Sequence, residues 1–294
     1  MNLTNNQNLN MLSELDSLAL MINMSDYPLN KKESAAYKQA VLACQKQLES
    51  DGCAHLPNFI REDKIELIRE QSENVSHLAH YHENKVTPYA TEGNPELGEN
   101  HPVNRYQQFS NGFVAKDLLP EQMIIKQLYR NTIFQEFIAE CLGKDKIYEY
   151  ADPIAGLVIN AMPENTSLPW HYDTNEFIVS LMTRRPEEGG EFQYSPGLRQ
   201  PGNENYSEVQ NILDGDLTKV KSLTLNTGDL QMFKGRFSMH RVASCKGTRL
   251  CALFGYAEKP GMIGKIKRTK DVYGRVTEAH IKAEQETRED GLAG

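Results

Sequence analysis

The sequence predicts a mainly β fold with helices over its N-terminal half, a helical layer packed on a β-sandwich or barrel as one structural unit. Three observations carry this. Apolar residues recur at helical spacing up to about residue 145. Short apolar or alternating segments bounded by turn residues follow from about Lys146. The chain has 294 residues, 39% of them apolar, which suffices to bury a real core. The expected organisation is a flexible N-terminus over residues 1–10, a helical region over 11–145, a β core over 146–260 and a C-terminal extension over 261–294.

Taken in order, Leu12, Leu15, Leu18 and Ile22 share one helical face, as do Tyr37, Ala40, Val41, Cys44 and Leu48. A short strand is expected from Cys53 to Phe59, then a third helical stripe with Ile65, Ile68, Val75 and Leu78. Residues 82–112 lose periodicity and read as a long loop. Pro120 suits the first position of a helix that runs, with a break, to Leu142 and stops at Gly143. Strands are expected at Ile154–Ala161, Glu176–Thr183, Glu191–Tyr194, Ser222–Asn226, Leu230–Phe233 and Arg249–Ala257. Between them, Pro196–Gly215 reads as an insertion with a brief helix near Val209–Leu213. The last fifteen or so residues read as a solvated helix or frayed end.

Charge narrows the function classes. Forty acidic residues against 32 basic ones leave a formal charge of −8. Such a surface suits neither phosphate backbones nor anionic lipids, so no nucleic-acid or membrane partner is expected. No apolar run approaches the roughly 20 residues of a membrane span, and Met1–Asn10 lacks a basic start and an apolar stretch. The cysteines Cys44, Cys53, Cys141, Cys245 and Cys251 are scattered, without a CxxC pair, so they read as small core hydrophobes in a reducing, cytoplasmic protein.

The chemistry sits in Pro169-Trp170-His171-Tyr172-Asp173 and, far downstream, in Ser238-Met239-His240-Arg241-Val242. In an extended segment His171 and Asp173 point the same way. Met by His240 from another strand, they form a two-His, one-carboxylate face. That face leaves three positions open and suits non-haem Fe(II). Zinc competes, although a catalytic zinc usually keeps one open position. Arg249 follows nine residues after His240 in an apolar strand. A guanidinium facing inward there needs an anion, either a dicarboxylic cosubstrate held bidentately or a protein carboxylate.

With HYD, GDLQMF, MHRV and GTR in this order, the chain resembles the Fe(II)/2-oxoglutarate-dependent oxygenase superfamily over about residues 150–257. ADPIAGLVINAMP, HYDTNEFIVSLMTRRPEEGGEFQYSPGLR and FKGRFSMHRV are similar to its branch of free-amino-acid halogenases and related hydroxylases, and SNGFVAKDLLP extends the likeness to about residue 110. The resemblance implies a double-stranded β-helix (jelly roll) core. It also implies Fe(II) held by His171, Asp173 and His240, and 2-oxoglutarate clamped by Arg249. Asn160, eleven residues before His171, matches a 2-oxoglutarate-binding asparagine of a related branch. Halogenases of the branch carry glycine where Asp173 stands, which leaves a vacancy for chloride. Here two positions go to 2-oxoglutarate, one remains for O2 and none for halide. The expectation is therefore a dioxygenase that hydroxylates an unactivated C–H bond, with succinate and CO2 as co-products.

For the substrate, the branch implies a small molecule, a free amino acid or something like it. Glu176, three residues past Asp173, and Asp152 are candidates to meet its ammonium, Arg105 its carboxylate, and Trp170 to wall its site. Alternative readings are the same chemistry on a peptide side chain or natural-product scaffold, and a non-catalytic metal-binding jelly-roll sensor. His77, His80 and His82 do not share one helical face, so they read as a solvated helix end rather than a second metal site.

Overall fold

The computed structural model describes residues 13–81 and 85–285. The N-terminal segment 1–10, His82 and the end of the tail lie outside the described residues. Two antiparallel sheets face each other. The larger has seven strands: β1 (Cys53–Leu56), β2 (His80–Tyr81), β3 (Gly112–Val114), β4 (Leu157–Met162), β6 (Ile178–Arg184), β9 (Leu230–Phe233) and β11 (Arg249–Phe254), in the order β1-β9-β6-β11-β4-β3-β2. The smaller has β5 (Leu168–His171), β7 (Phe192–Ser195), β8 (Lys221–Leu223) and β10 (Met239–Val242), in the order β8-β7-β10-β5. This is the expected jelly-roll core. Three of its large-sheet strands, β1 to β3, come from the mainly helical first half of the chain.

Alternation along the strands gives the large sheet two different faces. Leu157, Ile159, Ala161, Val179, Leu181, Leu250, Ala252 and Phe254 join the main core with Leu18, Ile68, Phe134 and Phe137 of the helical layer. The opposite face looks at the smaller sheet. Met162 and Phe233 pack there against Phe192, Tyr194 and Val242. Cross-strand partners share a face, so Asn160 opposite Cys251 and Arg249 opposite Met162 also lie between the sheets.

The helical layer comprises α1 (residues 13–21), α2 (Ala35–Asp51), α3 (Ile65–Ser76), α4 (Ile124–Arg130) and α5 (Thr132–Cys141). Ser34 caps α2 by accepting from the Tyr37 N–H, and Gly52, at φ 65°, ends it in the left-handed conformation that glycine adopts without steric cost. The helix expected to begin at Pro120 begins at Ile124. Pro120 instead opens a turn closed by Met123 N–H, and the Gln71 side chain accepts from Ile124 N–H. The expected break falls at Asn131, which caps α5 through Phe134 N–H.

Two further differences concern the expected loop and tail. The loop 82–112 contains a small ribbon, Lys85–Val86 paired with Gln107–Gln108, and a 3-10 turn at Pro102–Asn104. His80 belongs to β2 rather than to a helix end. The insertion folds as α6 (Tyr206–Leu213), whose Val209 and Ile212 cover the outer face of the small sheet at Trp170, Tyr172 and Met239. Beyond it lie α7 (Ile266–Tyr273) and α8 (Glu278–Gln285). In α8 His280 is fully buried, so this part of the tail is docked rather than solvated. No helix among the described residues is long and apolar enough to cross a membrane.

Candidate metal centre

His171 ends β5 and His240 lies in β10, directly opposite it in register. Cross-strand neighbours share a face, and the two rings stand 4.1 Å apart, centroid to centroid. Asp173 follows two residues after His171. Its N–H donates to the Gly235 carbonyl at 3.1 Å, and Tyr172 N–H donates to Pro88 O at 2.9 Å, which holds this segment extended past the strand end. Asp173 Oδ1 lies 3.9 Å from His171 Nε2, and Oδ2 lies 3.5 Å from His240 Nε2. One ligand atom from each of the three residues lies within 4.8 Å of the others.

The hydrogen bonds behind the rings fix their chemistry. His171 Nδ1 donates to Pro169 O at 2.7 Å and His240 Nδ1 to Ser238 O at 3.0 Å. Both imidazoles therefore carry the proton on Nδ1 and turn a bare Nε2 lone pair toward Asp173. Burial, and next to it the His240 ring, push His171 down to about 4, so it is neutral near pH 7 and free to ligate. The Phe233 ring packs edge-on at 4.8 Å from His240 and holds it from the large sheet. Asp173 Oδ2 is buried and has no hydrogen-bond partner. Gly235 makes room for it: a Cβ there would stand 1.8 Å from that oxygen.

Arg249 is 3% exposed, its Nε has no partner, and no carboxylate of the described residues pairs with it. Gly190, at φ 70°, lets the arginine stem pass: a Cβ there would meet its Cδ at 3.2 Å. Asn160 is 2% exposed with Nδ2 unpartnered. Sequence reasoning missed Asn111, which is fully buried with neither carboxamide atom hydrogen bonded. It stands two residues before Phe113, the cross-strand partner of Asn160. The available signal was a lone amide leading into the apolar strand of SNGFV.

Each of the four residues expected to meet the substrate has a local partner. Asp152 is fully buried. Its Oδ1 accepts from Ile154 and Ala155 N–H, and its Oδ2 from Gly264 N–H and His280 Nε2, which leaves no acceptor for an ammonium. Arg105 is paired with Asp214 at 2.7 Å. Glu176 is paired with Lys144, which also holds Glu258. Trp170 alternates away from His171, packing under α6 with Arg241 over its ring. Two arginines the sequence did not single out meet the residue that follows Asp173. Arg236 Nη1 donates to Thr174 O at 3.0 Å, and Arg268 Nη1, from α7, donates to Thr174 Oγ1 at 2.9 Å.

A family model described as Halogenase D matches residues 36–272. The chain belongs to this family. The match reaches back to α2, well before the motifs that carry the resemblance, so α2 to α5 belong to the family architecture. Among solved structures, an oxidoreductase of the 2OG-Fe(II) oxygenase family from Burkholderia pseudomallei aligns with a TM-score of 0.50 at 15% identity, over 75% of this chain and 92% of its own. A Trichoplax adhaerens prolyl hydroxylase in complex with a hypoxia inducible factor peptide fragment aligns at 0.49 and 14% identity, over 78% and 96%. The first of these likenesses shows a shared fold. Curated proteins give no match.

Proposed function

We propose that the chain is an Fe(II)/2-oxoglutarate-dependent dioxygenase that hydroxylates an unactivated C–H bond of a small, free amino-acid-like substrate. The balance is substrate C–H plus 2-oxoglutarate plus O2 giving C–OH, succinate and CO2. The residues fit the groups this reaction needs. Two imidazoles that turn Nε2 toward a carboxylate whose Oδ2 has no hydrogen-bond partner suit Fe(II), and the buried Arg249, without an ion pair among the described residues, suits the distal carboxylate of the keto acid. In this reading His171, Asp173 and His240 hold the iron, while Asn160 and Asn111 offer amide contacts to the cosubstrate. Bound there, the iron supplies the redox centre that couples O2 reduction and keto-acid decarboxylation to C–H oxidation.

The observation that carries hydroxylation over halogenation is Asp173 itself. Its carboxylate lies 3.5 and 3.9 Å from the two imidazole nitrogens, and as a third protein ligand it would leave no position for a halide. The test is an incubation of the iron-loaded protein with 2-oxoglutarate, chloride and pooled free amino acids, read by mass spectrometry. A product heavier by one oxygen is expected. A chlorinated product would overturn the hydroxylase assignment, and 2-oxoglutarate left unconsumed with every substrate would overturn the enzymatic one.

A further inference from the structure

Most arginines of the described residues pair with a carboxylate, and Arg185 and Arg241 donate instead to the side-chain amides of Asn226 and Gln193. Arg105 pairs with Asp214, Arg184 with Glu73, Arg199 with Glu204 and Arg275 with Asp117. Arg236 and Arg268 do not: among the described residues neither has an ion-pair partner. Both instead donate to a single residue, Thr174, through its carbonyl and its hydroxyl. A guanidinium carries five N–H donors, so most of the donors of both side chains are left over. They converge from separate elements, Arg236 from the turn after β9 and Arg268 from α7. Thr174 directly follows Asp173. The turn itself is seated against the triad, since Gly235 O accepts from Asp173 N–H.

Two unpaired cations side by side repel one another, and neither is buried, so water and salt screen them in the free protein. Bringing a carboxylate between them removes the repulsion and forms charge-assisted hydrogen bonds to both. Resting on the proposed function, we infer that Arg236 and Arg268 dock the carboxylate of the substrate beside Thr174. The substrate class is thereby narrowed to molecules with a free carboxylate. An internal peptide residue without an acidic side chain, whose α-carboxylate is an amide, is excluded. Arg249 and this pair are two separate anion positions, the first buried between the sheets and the second at the exposed edge of the triad.

The experiment uses the full chain loaded anaerobically with Fe(II) and 2-oxoglutarate, and reads the visible charge-transfer band as ligand is added. The probes are pooled free L-amino acids, their α-carboxamides, and aspartate and glutamate against asparagine and glutamine. Free acids should perturb the band and be turned over, and α-carboxamides should bind about tenfold or more weakly. Selectivity for aspartate and glutamate, with α-carboxamides tolerated, would place a side-chain carboxylate at the same pair. Arg236→Gln and Arg268→Gln should each raise KM for the acid with little change in kcat, and the double variant should erase the preference for acid over amide. Arg268→Lys should recover part of it. The inference is overturned if amides and acids bind alike, if the double variant keeps the preference, or if no carboxylic acid perturbs a band that does form. A band that never forms in the unaltered protein sinks the parent reading, and this inference with it.

Discussion

Among the described residues, the Asp152–His280 pair and the His171–Asp173–His240 triad are opposites. In one, Asp152 spends both oxygens on three backbone N–H groups and the His280 ring, whose Nδ1 is in turn bonded to Thr277. In the other, His171 and His240 have only their Nδ1 atoms occupied, and Asp173 Oδ2 has no hydrogen bond at all. The same residue types thus make a latch that holds α8 on the core and a set of unpaired atoms that suits a cation. What separates structure from chemistry here is the set of polar atoms left unpaired, because a buried group without a partner costs free energy that only a ligand returns.

Substitutions can break this contrast from either side. His171→Ala should abolish Fe(II)-dependent 2-oxoglutarate consumption and the charge-transfer band while the thermal midpoint of the metal-free protein moves little, checked by titration and calorimetry on one sample. A large loss of stability would show that the triad is a latch as well. Asp152→Ala should do the reverse, costing roughly 3–5 kcal/mol in denaturant unfolding because it strands the buried partners of that carboxylate, with KM for 2-oxoglutarate unchanged in the folded fraction. The latch also predicts an acid response. Burial alone would raise the Asp152 pKa, but the N–H bonds from Ala155, Gly264 and Ile154 outweigh it and hold it below the ordinary carboxylate value. Its stabilisation is therefore complete above the unfolded value near 4 and fades as pH falls through the depressed one. Asp152→Asn should remove that part of the acid limb.

Around the triad, Arg249→Gln should raise the 2-oxoglutarate KM by about ten- to hundredfold, the usual worth of a hydrogen-bonded charge, with the iron affinity retained. Asn111→Ala should act in the same direction and less, by about tenfold at most. An Asn111→Ala protein that is more stable and unchanged toward 2-oxoglutarate would mark that amide as an unsatisfied core group outside the site.

How much of this was legible follows from distance along the chain. His171 and Asp173 sit at strand period, and His240 and Arg249 announce themselves as polar residues in apolar strands, so local pattern suffices for them. Asn160 was legible for the same reason. The Asp152 latch was not, because its partner lies 128 residues away on a helix that reads as solvated. Asp152 also delays β4: the turn it caps at Ile154 and Ala155 makes the strand begin at Leu157, three residues later than the apolar run suggests. Strands β2 and β3, two and three residues long, carry too little periodicity to be seen, and the start of α4 depends on the Gln71 side chain rather than on Pro120. Arg236 and Arg268 become a pair only when α7 folds back to Thr174.

The fit of Asp173 against Gly235 ties together two positions that lie far apart in the chain. While the carboxylate is present, position 235 tolerates no side chain, since even alanine would overlap the acid. Once glycine replaces Asp173, that constraint lifts and position 235 is free to drift. An aspartate restored at 173 beside any side chain at 235 would meet the same overlap, so each of the two positions limits the residues the other can hold.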